Sequence, residues 1–191
     1  MELQILTFFK LLDPTNALNQ AERDLVLSTA RLVSIKKNAL LQHIGQTCRT
    51  IYFIQKGCTR VYYMHNEIEV TECFNFEGDL TVRFESLLAG VPSKRAIQAI
   101  EPTQLIALDL AKLEPIFTVF PRIEVVFRRL FHTYHIQTLQ RMENMQFNSA
   151  EERYQILMET QSEVIKRIPL KFIASYLGIT AVSLSRIRGK K

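Results

Sequence analysis

Three regimes of hydrophobic spacing follow one another along the chain. In the first 30 residues the apolar positions recur at helical steps. Ile5, Leu6, Phe8, Phe9, Leu11 and Leu12 predict a short amphipathic helix over 2–12 that Pro14 ends. Asn19 followed by Glu22 is a capping box that opens a second helix over about 20–30, with Leu25, Leu27 and Ala30 as its apolar positions. From Arg31 short runs of β-branched and aromatic residues take over. They predict strands near 31–36, 39–43, 50–55, 58–64, 67–75, 95–100 and 103–109, with turns at Lys56–Gly57 and His65–Asn66. Short strands at this spacing predict a small antiparallel barrel or jelly roll, ordered first by contacts between sequential hairpins. Residues 79–90, DLTVRFESLLAG, break the rhythm and predict a short helix on the barrel, closed by Gly90 and Pro92.

The helical period returns after Leu110. A short helix over 111–120, with Pro115 early in it, precedes the longest helical run, 122–147, which Pro121 can start. Ile123, Phe127, Leu130, Tyr134, Thr138 and Met142 form its stripe, and Val126, Phe131, Leu139 and Met145 widen it. That width exceeds what a lone surface helix needs. One side is expected on the barrel and the other on a second copy, with Ile123, Phe127, Leu130, Tyr134 and Thr138 at the dimer interface; the alternative is a helix buried wholly in its own domain. Ser149 with Glu152 is a second capping box, opening a helix to about Thr160, and a short polar link follows. Pro169 fits the first turn of the next helix. There Ile173, Ala174 and Leu177 share an apolar face, Gly178 stops the helix, Thr180 can cap another, and Leu184 and Ile187 give that one a buried side. This is the helix-turn-helix pattern, whose second helix enters the DNA major groove.

Charge changes the picture at the same place. Residues 166–191 hold seven of the 24 basic residues and no acid, leaving 17 bases against 19 acids in the rest of the chain. Such a block attracts phosphate by counterion release. Cys48, Cys58 and Cys73 form no CxxC, so no disulfide framework, zinc site or iron–sulfur cluster is expected. The N-terminal apolar run is interrupted by Glu2 and Lys10, and no membrane partner or signal peptide is expected; the cytoplasm is the default location. Of the four histidines, His43 and His65 lie in the strand-rich region. His132 and His135 stand three apart on the long helix, a spacing that can bind metal but is read as packed or interfacial. No nucleophile–base set stands out, so no enzyme, metal site or cofactor is expected.

A small β-roll, a long helix and a terminal helix-turn-helix, in this order, resemble the CRP/FNR family of bacterial transcription regulators. The segment IASYLGIT-xxx-LSRIR (173–188) and the roll glycines Gly45, Gly57 and Gly78 carry the resemblance most specifically. It implies an α+β fold divided into an antiparallel β-roll or jelly-roll sensor domain (1–120), a long dimerisation helix (121–147) and a C-terminal helix-turn-helix domain (148–191), in a short form without a following wing. It implies double-stranded DNA and a second copy as partners, RNA polymerase as a further candidate, and a small-molecule effector of unknown identity. Candidate DNA contacts are Lys171, Thr180, Ala181, Ser183, Ser185, Arg186, Arg188 and Lys190. Family members that bind cyclic AMP carry Gly-Glu-Leu and Arg-Ser-Ala in the pocket. Here the candidate pocket residues are Gly78, Asp79, Leu80, Ser93, Lys94 and Arg95, with Lys94 at the expected position and Arg95 one register off. The bidentate phosphate clamp is therefore expected to be missing, and cyclic AMP is not expected to bind tightly. The iron–sulfur branch uses an N-terminal cysteine cluster, and no cysteine precedes Cys48. The competing reading is a small-molecule-binding module whose C-terminal helices contact a protein partner.

Overall fold

The computed structural model describes residues 2–189. Lys190, one of the candidate DNA contacts, lies outside the described residues. Helices α1 (Glu2–Leu12) and α2 (Gln20–Ser28) precede eight strands: β1 (Ala30–Ile35), β2 (Leu40–Gln42), β3 (Thr50–Lys56), β4 (Thr59–His65), β5 (Ile68–Asn75), β6 (Leu80–Thr81), β7 (Arg95–Ala99) and β8 (Thr103–Asp109). Helix α3 (Phe84–Ala89) lies between β6 and β7. Helices α4 (Leu110–Val119), α5 (Pro121–Phe147), α6 (Ala150–Thr160), α7 (Ser162–Arg167), α8 (Leu170–Leu177) and α9 (Ala181–Gly189) complete the chain.

The strands form two four-stranded antiparallel sheets, ordered β1-β8-β3-β6 and β2-β7-β4-β5. Among the described residues only β4 and β5 pair as a sequential hairpin, turning through Asn66 and Glu67, both at positive φ. The other ladders join strands distant in sequence, so the expectation of successive local hairpins is corrected. The turn at Gly57 carries the chain from one sheet to the other. Its φ is +96°, and a Cβ there would stand 2.6 Å from Thr103 Oγ1 and 2.7 Å from the Pro102 carbonyl, so only glycine fits. The segment expected as one helix over 79–90 is divided. Leu80 and Thr81 first pair with Phe53 and Tyr52, extending the sheet edge, and the helix begins only at Phe84. Helix α7, expected as a polar link, buries Val164.

Of the three apolar clusters among the described residues, two join the roll to the helices. The first joins the roll to α1, α4 and the first half of α5 through Phe8, Phe53, Ile106, Leu113, Ile123 and Phe127. The second joins α6–α9 through Tyr154, Leu157, Val164, Ile173, Leu177 and Leu184 and also takes in Cys58, Phe74 and Ile100 from the roll. The C-terminal helices are thus seated on the second sheet.

A buried arginine ties that seat together. Arg60 on β4 is 1% exposed, with its guanidinium 4.2 Å from the ring centre of Tyr62 and 3.7 Å from that of Phe172 on α8. Its Nε donates to Gln98 Oε1 at 2.8 Å, and Glu69 accepts from its terminal nitrogen. Beside it, the Thr71 backbone N–H donates to Ser175 Oγ at 2.9 Å, and that hydroxyl donates to the Glu69 carbonyl. Arg167 holds the rim with a bidentate pair to Glu77 and a second pair to Glu101. Its hydrogen bonds bring the Glu77 carboxyl down to about 2.

Removing the Arg60 guanidinium leaves Glu69 and Gln98 without their donor and opens space under Phe172. Arg60→Ala is expected to lower the unfolding free energy by about 3 kcal/mol. Amide exchange in α8 should rise more than in β3. Denaturant unfolding and hydrogen-exchange mass spectrometry check both.

Candidate functional site: the DNA-binding face and the pocket of the roll

The terminal helix pair is built as its sequence dictates. Helix α8 ends at Gly178, whose φ of +69° and ψ of +32° are left-handed, and the Ile179 N–H then bonds the Ala174 carbonyl at 3.0 Å. Thr180 Oγ1 accepts from the Ser183 backbone N–H at 3.1 Å and starts α9. The chain bends by 96° between the two helices, within the helix-turn-helix range. Leu184 is 1% exposed and anchors α9 on Ile173, Ala174 and Leu177.

The opposite side of α9 is open. Ala181, Val182, Ser185, Arg186 and Arg188 are exposed, Val182 at 62%. Arg186 and Arg188 make no hydrogen bond or ion pair among the described residues. Lys171 is exposed at the start of α8, with its ammonium 4.8 Å from the Phe172 ring centre. Two of the candidate contacts are partly engaged: the Ser183 and Thr180 hydroxyls lie 3.0 Å apart within the cap. The basic block is also divided in use. Lys166 pairs with Glu163 on its own helix and Arg167 with the roll, so neither is unpaired as Arg186 and Arg188 are.

An open cavity of about 850 Å³ lies between β5, α5 and the C-terminal helices. Its lining includes Tyr63, Glu72, Asp79, Arg95, Thr133, Gln137 and Thr138. The candidate pocket residues are used unevenly. Gly78, at φ +87°, donates its N–H to the Ile54 carbonyl. Asp79 accepts from the Phe76 N–H at 2.8 Å and closes the turn, while burial pushes its carboxyl up. Leu80 is buried on β6. Ser93 Oγ is bound to its own loop, accepting from the Arg95 N–H and donating to the Arg95 carbonyl. Lys94 is exposed and does not line the cavity. The expectation that Arg95 points away is corrected: it lines the cavity and pairs with Glu72 and Glu85.

The centre of the charge arrangement is Arg83, which sequence reasoning missed because 79–90 reads as one helix. Arg83 is 3% exposed. Its terminal nitrogens donate to Glu72 Oε1 at 3.1 Å and to the Tyr134 hydroxyl on α5 at 3.2 Å, while its Nε has no partner. Glu72 therefore stands between two guanidiniums, Arg83 and Arg95. Burial alone would raise its carboxyl; the two arginines more than reverse this and hold it below the usual glutamate range. Burial pushes the Tyr134 phenol up as well. The nearby thiols are held protonated, Cys73 at about 11 and Cys58 at about 12, both raised by burial. Among the described residues no group of three or more His, Cys, Asp or Glu can hold a metal ion within the protomer.

The proposed dimer face also changes. Ile123, Phe127 and Leu130 are 0%, 1% and 8% exposed against the roll of their own protomer, and Tyr134 packs on Phe84. Thr138 is exposed but lines the cavity. The exposed apolar side chains of α5 among the described residues are Ile136, Leu139 and Phe147, at 54%, 44% and 78%, and Met142 and Met145, at 54% and 40%, which line the cavity. Single-sequence periodicity gives the width of a stripe and cannot say which edge the roll takes.

A β-roll, a long helix and a helix-turn-helix follow one another on this chain. The fold is that of the CRP/FNR transcription regulators. No protein-family profile matches the sequence, and no curated protein matches it. Among solved structures, FixK2 of Bradyrhizobium japonicum superposes with a TM-score of 0.73 at 18% identity, over 84% of this chain and 83% of that one. A putative transcriptional regulator of the CRP/FNR family from Eubacterium rectale gives 0.72 at 18% identity, over 93% and 85%. CLP of Xanthomonas campestris, a c-di-GMP responsive global regulator, gives 0.72 at 12% identity, over 90% and 91%. Among the described residues no single helix is long and apolar enough to cross a membrane.

Glu72→Gln removes the carboxylate that bridges Arg83 and Arg95 and leaves them only Glu85 as a shared counter-charge. It is expected to cost about 3 kcal/mol of unfolding free energy near neutral pH. Because the folded carboxyl titrates below the unfolded one, this contribution is complete above the ordinary glutamate range. It is lost as pH falls through the lowered folded value. Urea unfolding across acid pH should show a component in the wild type that the variant lacks.

Proposed function

We propose that this chain is a dimeric, DNA-binding transcription regulator of the CRP/FNR type and not an enzyme. The observation that carries the reading is the outward face of α9, where Arg186 and Arg188 stand exposed and unpaired on a helix whose other side is locked into the core. Arg186 is placed to reach a base edge or a phosphate, and Arg188 and Lys171 to hold phosphates. The methyl groups of Ala181 and Val182 offer thymine contacts and no hydrogen bonds, so the operator leans toward A·T pairs.

The second copy covers the free stripe of α5 through Ile136 and Leu139. This face points away from the roll, so two copies can meet along α5 without unseating either roll. A two-fold pair then presents two α9 helices to successive major grooves. The cavity beside α5 is the place for an effector. Arg95, which lines the cavity, already holds the protein's own Glu72, a carboxylate that the buried Arg83 also holds. A cyclic phosphate must displace that carboxylate, so cyclic AMP binds weakly or not at all.

A random-oligonucleotide selection, without ligand and with cyclic AMP, tests the reading; a two-fold symmetric, A·T-leaning motif in both conditions is expected. No motif under either condition, with α9 variants inert, would move the chain to the protein-partner module. Arg186→Ala should weaken specific binding about ten- to a hundredfold, whereas Arg188→Ala should weaken all sequences alike and reduce the salt slope by about one. Fluorescence anisotropy over a salt series separates the two. Leu139→Glu should shift the protein to monomers with its circular dichroism unchanged, as read by sedimentation equilibrium.

A further inference from the structure

The outward face of α5 carries two histidines with no partner inside the protomer. His132 and His135 are exposed, and neither makes a hydrogen bond or ion pair among the described residues. They stand in line with Leu139, which is 44% exposed, and with Met142, 54% exposed at the edge of the cavity. The positions 132, 135, 139 and 142 follow one another at steps of three, four and three, the spacing of a two-stranded helical seam. On the other side of the same helix Ile123, Val126, Phe127 and Leu130 are buried in the roll's core, which fixes the seam as the uncovered side.

In a parallel two-fold pair, residues at seam positions face their own counterparts. Two imidazoles from each chain then converge within about one helical turn, a separation of roughly 5–6 Å between neighbouring side-chain origins. Neutral imidazole is a good ligand for late first-row cations, and i, i+3 ligand pairs on facing helices build metal sites in bundle cores. We propose that His132 and His135 of two copies form one site for a late first-row divalent cation such as Zn²⁺ on the dimer axis. The inference rests on the dimer reading above. Because one protomer supplies only two ligands there, the site is complete only in the pair. The charged neighbours are Arg128 and Arg129, one turn back; Arg128 is paired with Glu124 at 3.7 Å, which tempers its repulsion of a cation. The site makes dimer strength, and through it operator affinity, respond to metal.

The test uses the full chain, stripped of metal and titrated with Zn²⁺ alone, by calorimetry and sedimentation equilibrium. One ion per two chains is expected, with the dimer association constant raised about tenfold or more. His132→Gln and His135→Gln should each abolish that rise. Both positions are exposed, so neither change should disturb folding, and His43→Gln should leave the effect intact. Leu139→Cys reports the seam independently, because a symmetric pair cross-links through it. A protein that cross-links there yet binds no Zn²⁺, or binds one ion per chain, or keeps its response in His132→Gln, overturns the metal site and leaves the dimer standing. A chain that stays monomeric and fails to cross-link, with and without Zn²⁺, overturns both.

Discussion

The guanidinium of Arg60 is the joint on which the arrangement turns. It leaves the roll at β4, lies between the rings of Tyr62 and Phe172, and spends its donors on Gln98, Thr71 and Glu69. An arginine 1% exposed is tolerable only when both its flat faces and its N–H edge are matched, since a buried charge without partners is costly. One aromatic face comes from Phe172 of the helix-turn-helix, and the other face, Tyr62, comes with the hydrogen-bond edge from the roll. The residue is therefore satisfied only while the two are docked. Ser175, Arg141 and Arg167 repeat the pattern with smaller stakes, each hydrogen-bonding groups on β5 or its flanking loops. The α9 helix is positioned relative to the roll by polar contacts of defined geometry, with an apolar cluster beneath them.

The pocket uses the same economy in the opposite sense. A nucleotide-sensing roll needs a positive centre that waits for a phosphate. Here Arg83 and Arg95 converge on Glu72, and Arg83 reaches on to Tyr134. The bridge from roll to long helix that a ligand would otherwise supply is made from the protein's own side chains. Any effector must offer more than a single phosphate to be preferred over an internal carboxylate that needs no translational ordering. The cavity of about 850 Å³ leaves room for such a molecule alongside the cluster.

Helix α5 holds two relationships at once. Its first half completes the roll's core, and Phe131 and Tyr134 extend that contact onto Phe84. Farther along, Arg141 stacks on Tyr176 and donates to its carbonyl, which links the helix to α8. One edge of the helix thus touches both the cavity and the C-terminal helices, while His132, His135, Ile136 and Leu139 stay exposed on the other.

The local pattern of the sequence determined most of the elements. Period two and β-branched runs located seven strands to within a residue or two, and the capping boxes at Asn19 and Ser149 formed as written. Gly178, Thr180 and the Ile173–Leu184 spacing specified the terminal helix pair, because those constraints act over a few bonds. The two-residue strand at Leu80 was not legible, since its only reason to be extended is the edge of β3. Pairing was decided in space: β1 meets β8 and β2 meets β7, partners that no short-range signal identifies. So were the sides of α5, where one wide stripe had to be divided between roll and solvent. The charged clusters around Arg60 and Arg83 are the clearest case. In sequence one is an arginine on an expected strand and the other an arginine in an expected helix, and both read as solvent-facing. Only the arrival of Phe172 at one and Glu72 at the other makes burial of a charge affordable, and those arrivals exist only in the folded chain.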